Sequence, residues 1–330
     1  MSTVSQSLRL WAEELCQLDE ERSLKRLRYH DRSDCAGAHA QLAHERESNR
    51  SYYRDALLRC LAQILDKPLH DLRFQLPGLT LSETEHALWH KAYERLRQDE
   101  PLAYILGEAD FADLTFLVGP GVLIPRPDSE VIVWQAARSL HKYQLIQQGR
   151  SLVVYDLCCG TACLGLALWA CLKRYDPNCQ VQVYAVDIEE KALVWAEKNV
   201  AYHQAEKDFK LVQADLLPAI GTCPPADIVL CNPPYIPERT WRQLESSVKD
   251  YEPQSALIAA EEGLQFYSRL ASELPPYLST NGILLVEHGE KQQADVKQIF
   301  LQQNWELVQT LEDMAGRERA LQCLWPKEAY

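Results

Sequence analysis

Two hydrophobic periods alternate through the second half of the chain. The short runs LVVYDL (152–157), VQVYAVD (181–187), FKLVQAD (209–215), DIVLCN (227–232) and GILLVEHG (282–289) are rich in branched apolar residues. That composition predicts strands buried on both faces. Between and after them, residues 163–175, 189–203 and 292–302 carry helical spacing, and WELVQTLED and RALQCLW follow as a closing strand pair. Strands alternating with helices imply a mostly parallel sheet covered by helices on both sides. The expected fold class is α/β.

The first hundred residues read differently. Tyr53, Ala56, Leu57, Cys60, Leu61 and Ile64 recur at helical spacing, and Ser82 to Glu85 (SETE) has the form of a capping box opening a helix through Leu96. DKPLHDLRFQLPGLT between them carries the prolines and glycine of a loop. Residues 20–50 are strongly polar, with Arg22, Lys25, Arg26, Arg28 and Arg32 diluted by Glu20, Glu21, Asp31 and Asp34, which reads as a solvated helix or a mobile insertion. From Phe111, DFADLTFLVGPGVLIPRPDSE predicts a hairpin with Gly119-Pro120-Gly121 in its middle. The organisation that follows is an N-terminal helical domain (1–105), a hairpin linker (106–125) and an α/β domain (126–330).

Composition narrows the function. The chain has 330 residues, 47% of them hydrophobic, and a net charge of −13. Such acidity argues against broad, non-specific binding to nucleic acid. The opening MSTVSQSLRLWAEEL is amphipathic rather than a signal peptide, and no apolar run reaches the length of a membrane span. Eleven cysteines without a regular framework predict reduced thiols and a cytoplasmic protein. Cys158, Cys159 and Cys163 lack a second Cys or His cluster, and His86 and His90 lack a third ligand, so no metal site is expected.

The chemistry gathers at strand ends. Asp156-Leu-Cys158-Cys159-Gly160-Thr161-Ala162 lies where the first strand of the α/β domain meets its first helix, a turn that brings backbone N–H groups to a ligand. A dinucleotide turn needs GxGxxG, of which only Gly160 remains. The acidic form DxGxGxG suits S-adenosylmethionine instead, with Cys158 and Ala162 at its first and third glycine positions. Both are small, but an L-residue held there at positive φ is strained. Asp187 ends the second strand, where a carboxylate accepts ribose hydroxyls or caps the helix from Glu189. Asp215 ends the third, where it meets an adenine amino group while Leu216 packs on the ring, or simply starts a polar loop.

The fourth strand ends in Asn232-Pro233-Pro234-Tyr235. The prolines stop the strand and hold Asn232 extended. A conjugated NH₂ is a poor nucleophile because its lone pair is delocalised. The Asn232 side-chain oxygen and the Pro233 carbonyl supply two acceptors for such a group, and the Tyr235 ring covers it. Holding it in line with a methyl donor is most of the catalysis. A strand-ending turn is the bland alternative.

NPPY serves methyl transfer to adenine N6, guanine N2 and glutamine amides alike, and wider similarity separates them. The chain resembles the HemK-type release factor glutamine methyltransferases, class I S-adenosylmethionine enzymes. The matching stretches are EPLAYILGEADF, LIPRPDSE, DLCCGTACLGLAL, AVDIEEKALVWAEKN, NPPYI, YEPQSALIAAEEGLQFY, LLVEHGEKQ and DMAGRERAL, in family order from residue 100 to residue 321. The resemblance implies a Rossmann-like, mostly parallel seven-stranded sheet. It also implies a substrate: the glutamine of the Gly-Gly-Gln loop of peptide-chain release factors, methylated at N5. By position, Asn232, Pro233, Pro234 and Tyr235 hold that glutamine. Asp156, residues 158–162, Asp187, Asp215, Leu216 and Asn232 hold the cofactor, and the N-terminal helices contact the release factor. Arg126 and Glu130 are expected to shape the cleft, and Glu287 to be buried against backbone amides.

Two other functions remain open at this point. One is a nucleic acid adenine-N6 or guanine-N2 methyltransferase. The other is a silent module that docks on release factors without binding cofactor.

Overall fold

The computed structural model describes residues 3–30, 35–142 and 151–326, without the side chains of 23–47 and 141–142. Two units divide the chain, Met1–Leu106 and Gly107–Tyr330.

The first unit contains α1 (Val4–His30), α2 (Cys35–Ile64), α3 (Leu69–Gln75), α4 (Glu83–Arg97) and α5 (Leu102–Leu106). The stripe read from the sequence is the core face of α2: Tyr53, Ala56, Leu57, Cys60 and Leu61 are buried in one cluster with Leu8, Leu15, Trp89 and Tyr93. Ser82 and Glu85 form the expected capping box. Glu85 N donates to Ser82 Oγ at 3.2 Å, and Ser82 N donates to Glu85 Oε2 at 2.7 Å. Two amides that the helix start would orphan are thereby satisfied.

The stretch expected as a loop holds a helix, α3. Pro68 stands at its N-cap, where a missing N–H costs nothing, and Leu72 is fully buried. One buried leucine outweighs the local turn signals around it. His86 and His90 are exposed on α4, and their rings meet Trp11 at 6.0 and 5.5 Å between centroids. In the polar segment, the backbone is helical to His30 and again from Cys35. Residues 31–34 and the side chains of Lys25, Arg26 and Arg28 lie outside the described residues.

The second unit opens with a hairpin, β1 (Glu108–Phe111) against β2 (Leu114–Leu117). Its turn is Ala112-Asp113, both left-handed with φ of 49° and 62°. The glycines at 119 and 121 were the expected turn. A two-residue left-handed turn matches the twist of paired strands, and the Glu130 carboxylate accepts the Ala112 N–H at 2.9 Å. Glu130 therefore braces the hairpin.

The sheet that follows is built from β3 (Leu152–Leu157), β4 (Val181–Asp187), β5 (Phe209–Gln213), β6 (Ala226–Cys231), β9 (Leu278–Glu287), β10 (Glu306–Glu312) and β11 (Glu318–Leu324). Their spatial order is β10-β11-β9-β6-β3-β4-β5, with β11 antiparallel to both its neighbours. The remaining pairings are parallel. This is the mostly parallel, Rossmann-like seven-stranded sheet expected from the sequence. A separate two-residue ladder joins β7 (Ile236–Pro237) to β8 (Ile258–Ala259).

Alternate residues of each central strand serve two cores. Val154 faces a cluster with Leu166 and Leu168, and Tyr155 faces one with Tyr267 and Phe300. Burial on both sides is why these strands read as unbroken apolar runs. Each such side chain contributes roughly 1.5–3 kcal/mol relative to exposure. Flanking helices include α6 (Glu130–Lys142), α7 (Cys163–Tyr175) and α8 (Glu190–Tyr202), with later helices Gln265–Glu273 and Gln293–Gln302.

The chain runs outward from β3 through β4 to β5, then returns to β6 on the other side of β3. That reversal opens a crevice at the carboxyl ends of β3 and β6, where open α/β sheets bind ligands.

Candidate active site

Strand register assembles the site. Leu157 pairs with Val186 on one side and with Cys231 on the other, and Cys231 pairs with Val286. One residue further along each strand come Asp187, Cys158, Asn232 and Glu287. Four residues spread over 130 positions thus stand side by side at one edge of the sheet.

A pocket with about 990 Å³ of empty space, open to solvent, lies against this edge. Cys158, Cys159, Gly160, Thr161, Asp187, Asp215, Leu216, Asn232 and Pro234 line it. Pro233 and Tyr235 belong to the same turn as Asn232 without forming its wall. Asp156 and Ala162 are fully buried behind it. Asp156 Oδ2 accepts the Gly165 N–H at 2.9 Å, and a Cβ on Gly165 would stand 2.9 Å from that oxygen, so α7 can approach β3 this closely only through a glycine. Asp156 Oδ1 has no hydrogen-bond partner among the described residues. Burial pushes the Asp156 carboxyl up to about 8, against the Gly165 amide, which pulls it down.

The turn after β3 is left-handed at every second residue: Cys158 at φ 55°, Gly160 at 54° and Ala162 at 60°. The strain expected at positions 158 and 162 is present. Each non-glycine there costs roughly 1–2 kcal/mol. Asp187 holds the turn from the side. Its Oδ2 accepts the Gly160 N–H at 2.9 Å, while Oδ1 accepts the Glu189 N–H at 3.0 Å. Asp187 thus lines the pocket and takes the Glu189 N–H just ahead of α8, whose N-cap is Glu189 itself rather than Asp187. Burial raises its pKa above the usual range.

Asp215 lies two residues past the end of β5 and is exposed, with Oδ1 accepting from Arg269 Nη1 at 2.7 Å. Leu216 is buried at φ 65°, a conformation a leucine rarely adopts. The donor set fits S-adenosylmethionine. Carboxylates at the ends of two strands suit ribose hydroxyls and amino groups, and the apolar faces of Leu216, Ile188 and Phe266 suit an adenine ring. A pyrophosphate would meet the carboxylates and be repelled.

Across the crevice, Asn232 Nδ2 donates to Ser129 Oγ at 3.1 Å. Ser129 in turn donates to Glu287 Oε2, and Tyr235 OH donates to Glu287 Oε1 at 3.2 Å. Glu287 is 1% exposed. Among the described residues its side-chain hydrogen-bond partners are two hydroxyls, not the backbone amides expected from its place at a strand end. Burial raises its pKa to about 7, while Ser129, Tyr235 and the Arg319 cation pull it down.

Sequence reasoning missed the residues that brace this turn. Glu252 of YEPQSAL is buried, accepts the Ile124 N–H at 3.0 Å and pairs with Arg126, so the LIPRPDSE loop is clamped from 126 positions away. Gln292 Nε2 donates to the carbonyls of Tyr235 at 2.9 Å and Glu262 at 3.3 Å. The stretches holding Ser129, Glu252 and Gln292 are all among those that carry the family resemblance. Their partners are set by the fold.

The N-6 DNA Methylase family matches residues 137–266. A release factor glutamine methyltransferase from Thermodesulfovibrio yellowstonii is 32% identical over 248 residues, covering 74% of this chain and 83% of that protein. One from Haemophilus influenzae is 33% identical over 239 residues, covering 71% and 79%. Among solved structures, the human Mettl16 catalytic domain in complex with a MAT2A 3′UTR hairpin aligns at a TM-score of 0.49 and 19% identity, over 64% of this chain and 74% of that one.

Proposed function

The chain belongs to the release factor glutamine methyltransferases, and from that premise we propose that it methylates N5 of the glutamine in the Gly-Gly-Gln loop of peptide-chain release factors, with Asn232, Pro233 and Tyr235 holding the amide. One observation carries the reading: Asn232 lines the same pocket as the turn 158–161, Asp187 and Leu216.

Bound there, S-adenosylmethionine supplies an electrophilic methyl on a sulfonium that leaves as a neutral thioether. The chain's task is to present the amide. Asn232 Nδ2 is committed to Ser129, so the acceptor left on that side chain is Oδ1. The Asn232 oxygen and the Pro233 carbonyl each accept one N–H of the glutamine, which fixes its plane and aims the nitrogen lone pair at the methyl carbon. Proximity and alignment supply most of the rate, since no base is needed before transfer. As the N–C bond forms, the nitrogen becomes acidic and gives one proton to an acceptor or to water. Asp187 holds the ribose hydroxyls, Leu216 packs on the adenine and Asp215 meets its amino group through the oxygen not used by Arg269. Asp156 acts from behind the wall, through the Gly165 amide at the start of α7.

The helical unit Met1–Leu106 serves as the docking surface for the release factor, and the enzyme works in the cytoplasm, where release factors act. No helix among the described residues is long and apolar enough to cross a membrane.

Incubating the protein with release factor and methyl-labelled S-adenosylmethionine should add one methyl to one glutamine, located by peptide mass. Label on RNA or DNA and none on the factor would overturn the assignment.

A further inference from the structure

We propose that Glu287 and Ser129 are positioning residues for methyl transfer: they fix which end of the Asn232 carboxamide faces the substrate. The inference rests on the reading of Asn232 as an amide acceptor, and it assigns a task to two residues that act through the Asn232 and Tyr235 side chains.

The nitrogen and oxygen of a carboxamide are nearly the same size, so packing alone does not choose between them. Only the polarity of the partner does. Among the described residues, the Asn232 side chain hydrogen-bonds to Ser129 Oγ, at 3.1 Å. A serine hydroxyl can either donate to an amide oxygen or accept from an amide nitrogen. Were it to donate, the Asn232 amide would turn over and set its NH₂ against the N–H groups of the glutamine.

Glu287 removes that freedom. An ionised carboxylate only accepts. Glu287 sits one register position beyond the Cys231–Val286 pair, beside Asn232, and takes the Ser129 proton on Oε2 and the Tyr235 phenol proton on Oε1. The serine's single proton is then spent, and its lone pairs can only accept from Asn232 Nδ2. Donation runs one way, from Asn232 to Ser129 to Glu287, and the Asn232 oxygen is left for the substrate. Tyr235 is oriented by the same carboxylate. One buried acid therefore aligns both side chains that would grip and cover the amide. Ser129 comes from the LIPRPDSE loop, which ties that loop to the geometry of the NPPY turn.

The arrangement depends on the charge of Glu287. Burial lifts its pKa to about 7. Arg319 from β11, with Ser129 and Tyr235, lowers it; Asp128, beside Ser129, raises it. The thiols Cys163 and Cys231 lie within electrostatic reach, and the Tyr267 hydroxyl donates to the Glu287 backbone carbonyl at 3.0 Å. Below its pKa, Glu287 carries a proton of its own to donate, and the Ser129 hydroxyl is released to turn. Activity should therefore fall as pH drops through about 7, because the one-way order is lost with the charge.

The test uses the full chain, intact release factor and S-adenosylmethionine. Glu287→Gln keeps the shape but places an NH₂ toward one of the two hydroxyls. It should lower kcat by roughly 10²-fold, with the KM for release factor and the calorimetric Kd for cofactor held within about threefold. The acid limb of the kcat profile, measured from about pH 6 to 9, should vanish, since glutamine does not titrate. Ser129→Ala frees the amide to choose its own orientation and should lower kcat by roughly tenfold, again with little change in KM. If Glu287→Gln folds poorly by circular dichroism, Ser129→Ala decides. Near-normal kcat in both variants, or an acid limb that survives in Glu287→Gln, overturns the inference. Asn232→Ala separates it from its premise: if that variant is active, the reading of Asn232 fails. If it is dead while Glu287→Gln and Ser129→Ala are active, only the positioning role fails.

Discussion

The Gly160 backbone N–H donates to Asp187 Oδ2 at 2.9 Å, which ties the strained turn after β3 to the end of β4. Asp187 accepts a second backbone amide, Glu189, on its other oxygen. Both contacts need an acceptor. Asp187→Asn must turn its NH₂ toward one of the two N–H groups and leave that amide unsatisfied. The variant should weaken S-adenosylmethionine binding by roughly 10- to 100-fold, at 1.4 kcal/mol per factor of ten. Isothermal calorimetry reads this directly, and an unchanged Kd would remove Asp187 from the cofactor site.

Cys158 adopts φ 55° at a position where glycine carries no steric penalty. Cys158→Gly should relieve roughly 1 kcal/mol of backbone strain, partly offset by the greater freedom of glycine in the unfolded chain. Cys158→Val adds a branched Cβ where the left-handed region tolerates it least and should be destabilising. Thermal melts should rank the glycine variant at or above the parent and the valine variant several degrees below it. The reverse order would mean that side-chain packing outweighs backbone strain in this turn.

Gly263 follows two other left-handed residues, Glu261 and Glu262, and has φ 85°. A Cβ there would overlap the carbonyl oxygen of Tyr235 and crowd Gln292 Nε2. Gly263→Ala should therefore displace the turn that carries Asn232, although residue 263 does not line the pocket. A shift of about 1 Å at such a site lowers the rate by roughly 10²-fold. Gln292→Ala, which removes the donor to the same carbonyl, should act in the same direction more weakly. Wild-type kcat in Gly263→Ala would show that the NPPY turn is held without this contact.

Burial keeps Asp156 protonated up to about pH 8 in the folded protein, whereas its unfolded pKa is near 4. The folded state thus holds a proton that the unfolded state has lost. This contribution is intact below about pH 4 and is lost progressively as pH rises toward 8, by up to about 1.4 kcal/mol per unit. Asp156→Asn retains an oxygen for Gly165 and has nothing to titrate. Its stability relative to the parent, from urea unfolding without cofactor, should improve between about pH 5 and 8. A pH-independent difference would mean that Asp156 is ionised in place.

What the sequence alone determined is what is local. The central strands were legible because burial on both faces leaves an uninterrupted apolar run. The α4 cap was legible because its two partners are three residues apart. The strand-end acids and the NPPY turn were legible as positions, since a strand must stop at two prolines, and similarity supplied the amide. Local signals misled where tertiary burial outweighed them: Leu72 draws a helix out of a proline-flanked stretch, and Glu130 satisfies a turn at Ala112-Asp113 that has no glycine. Tertiary structure alone decided adjacency. Register placed Cys158, Asp187, Asn232 and Glu287 in one row, brought Ser129 between Asn232 and Glu287, and set Glu252 under Arg126. A hydrogen bond across a hundred residues leaves no period in the chain, because its geometry exists only once parallel strands have chosen their neighbours.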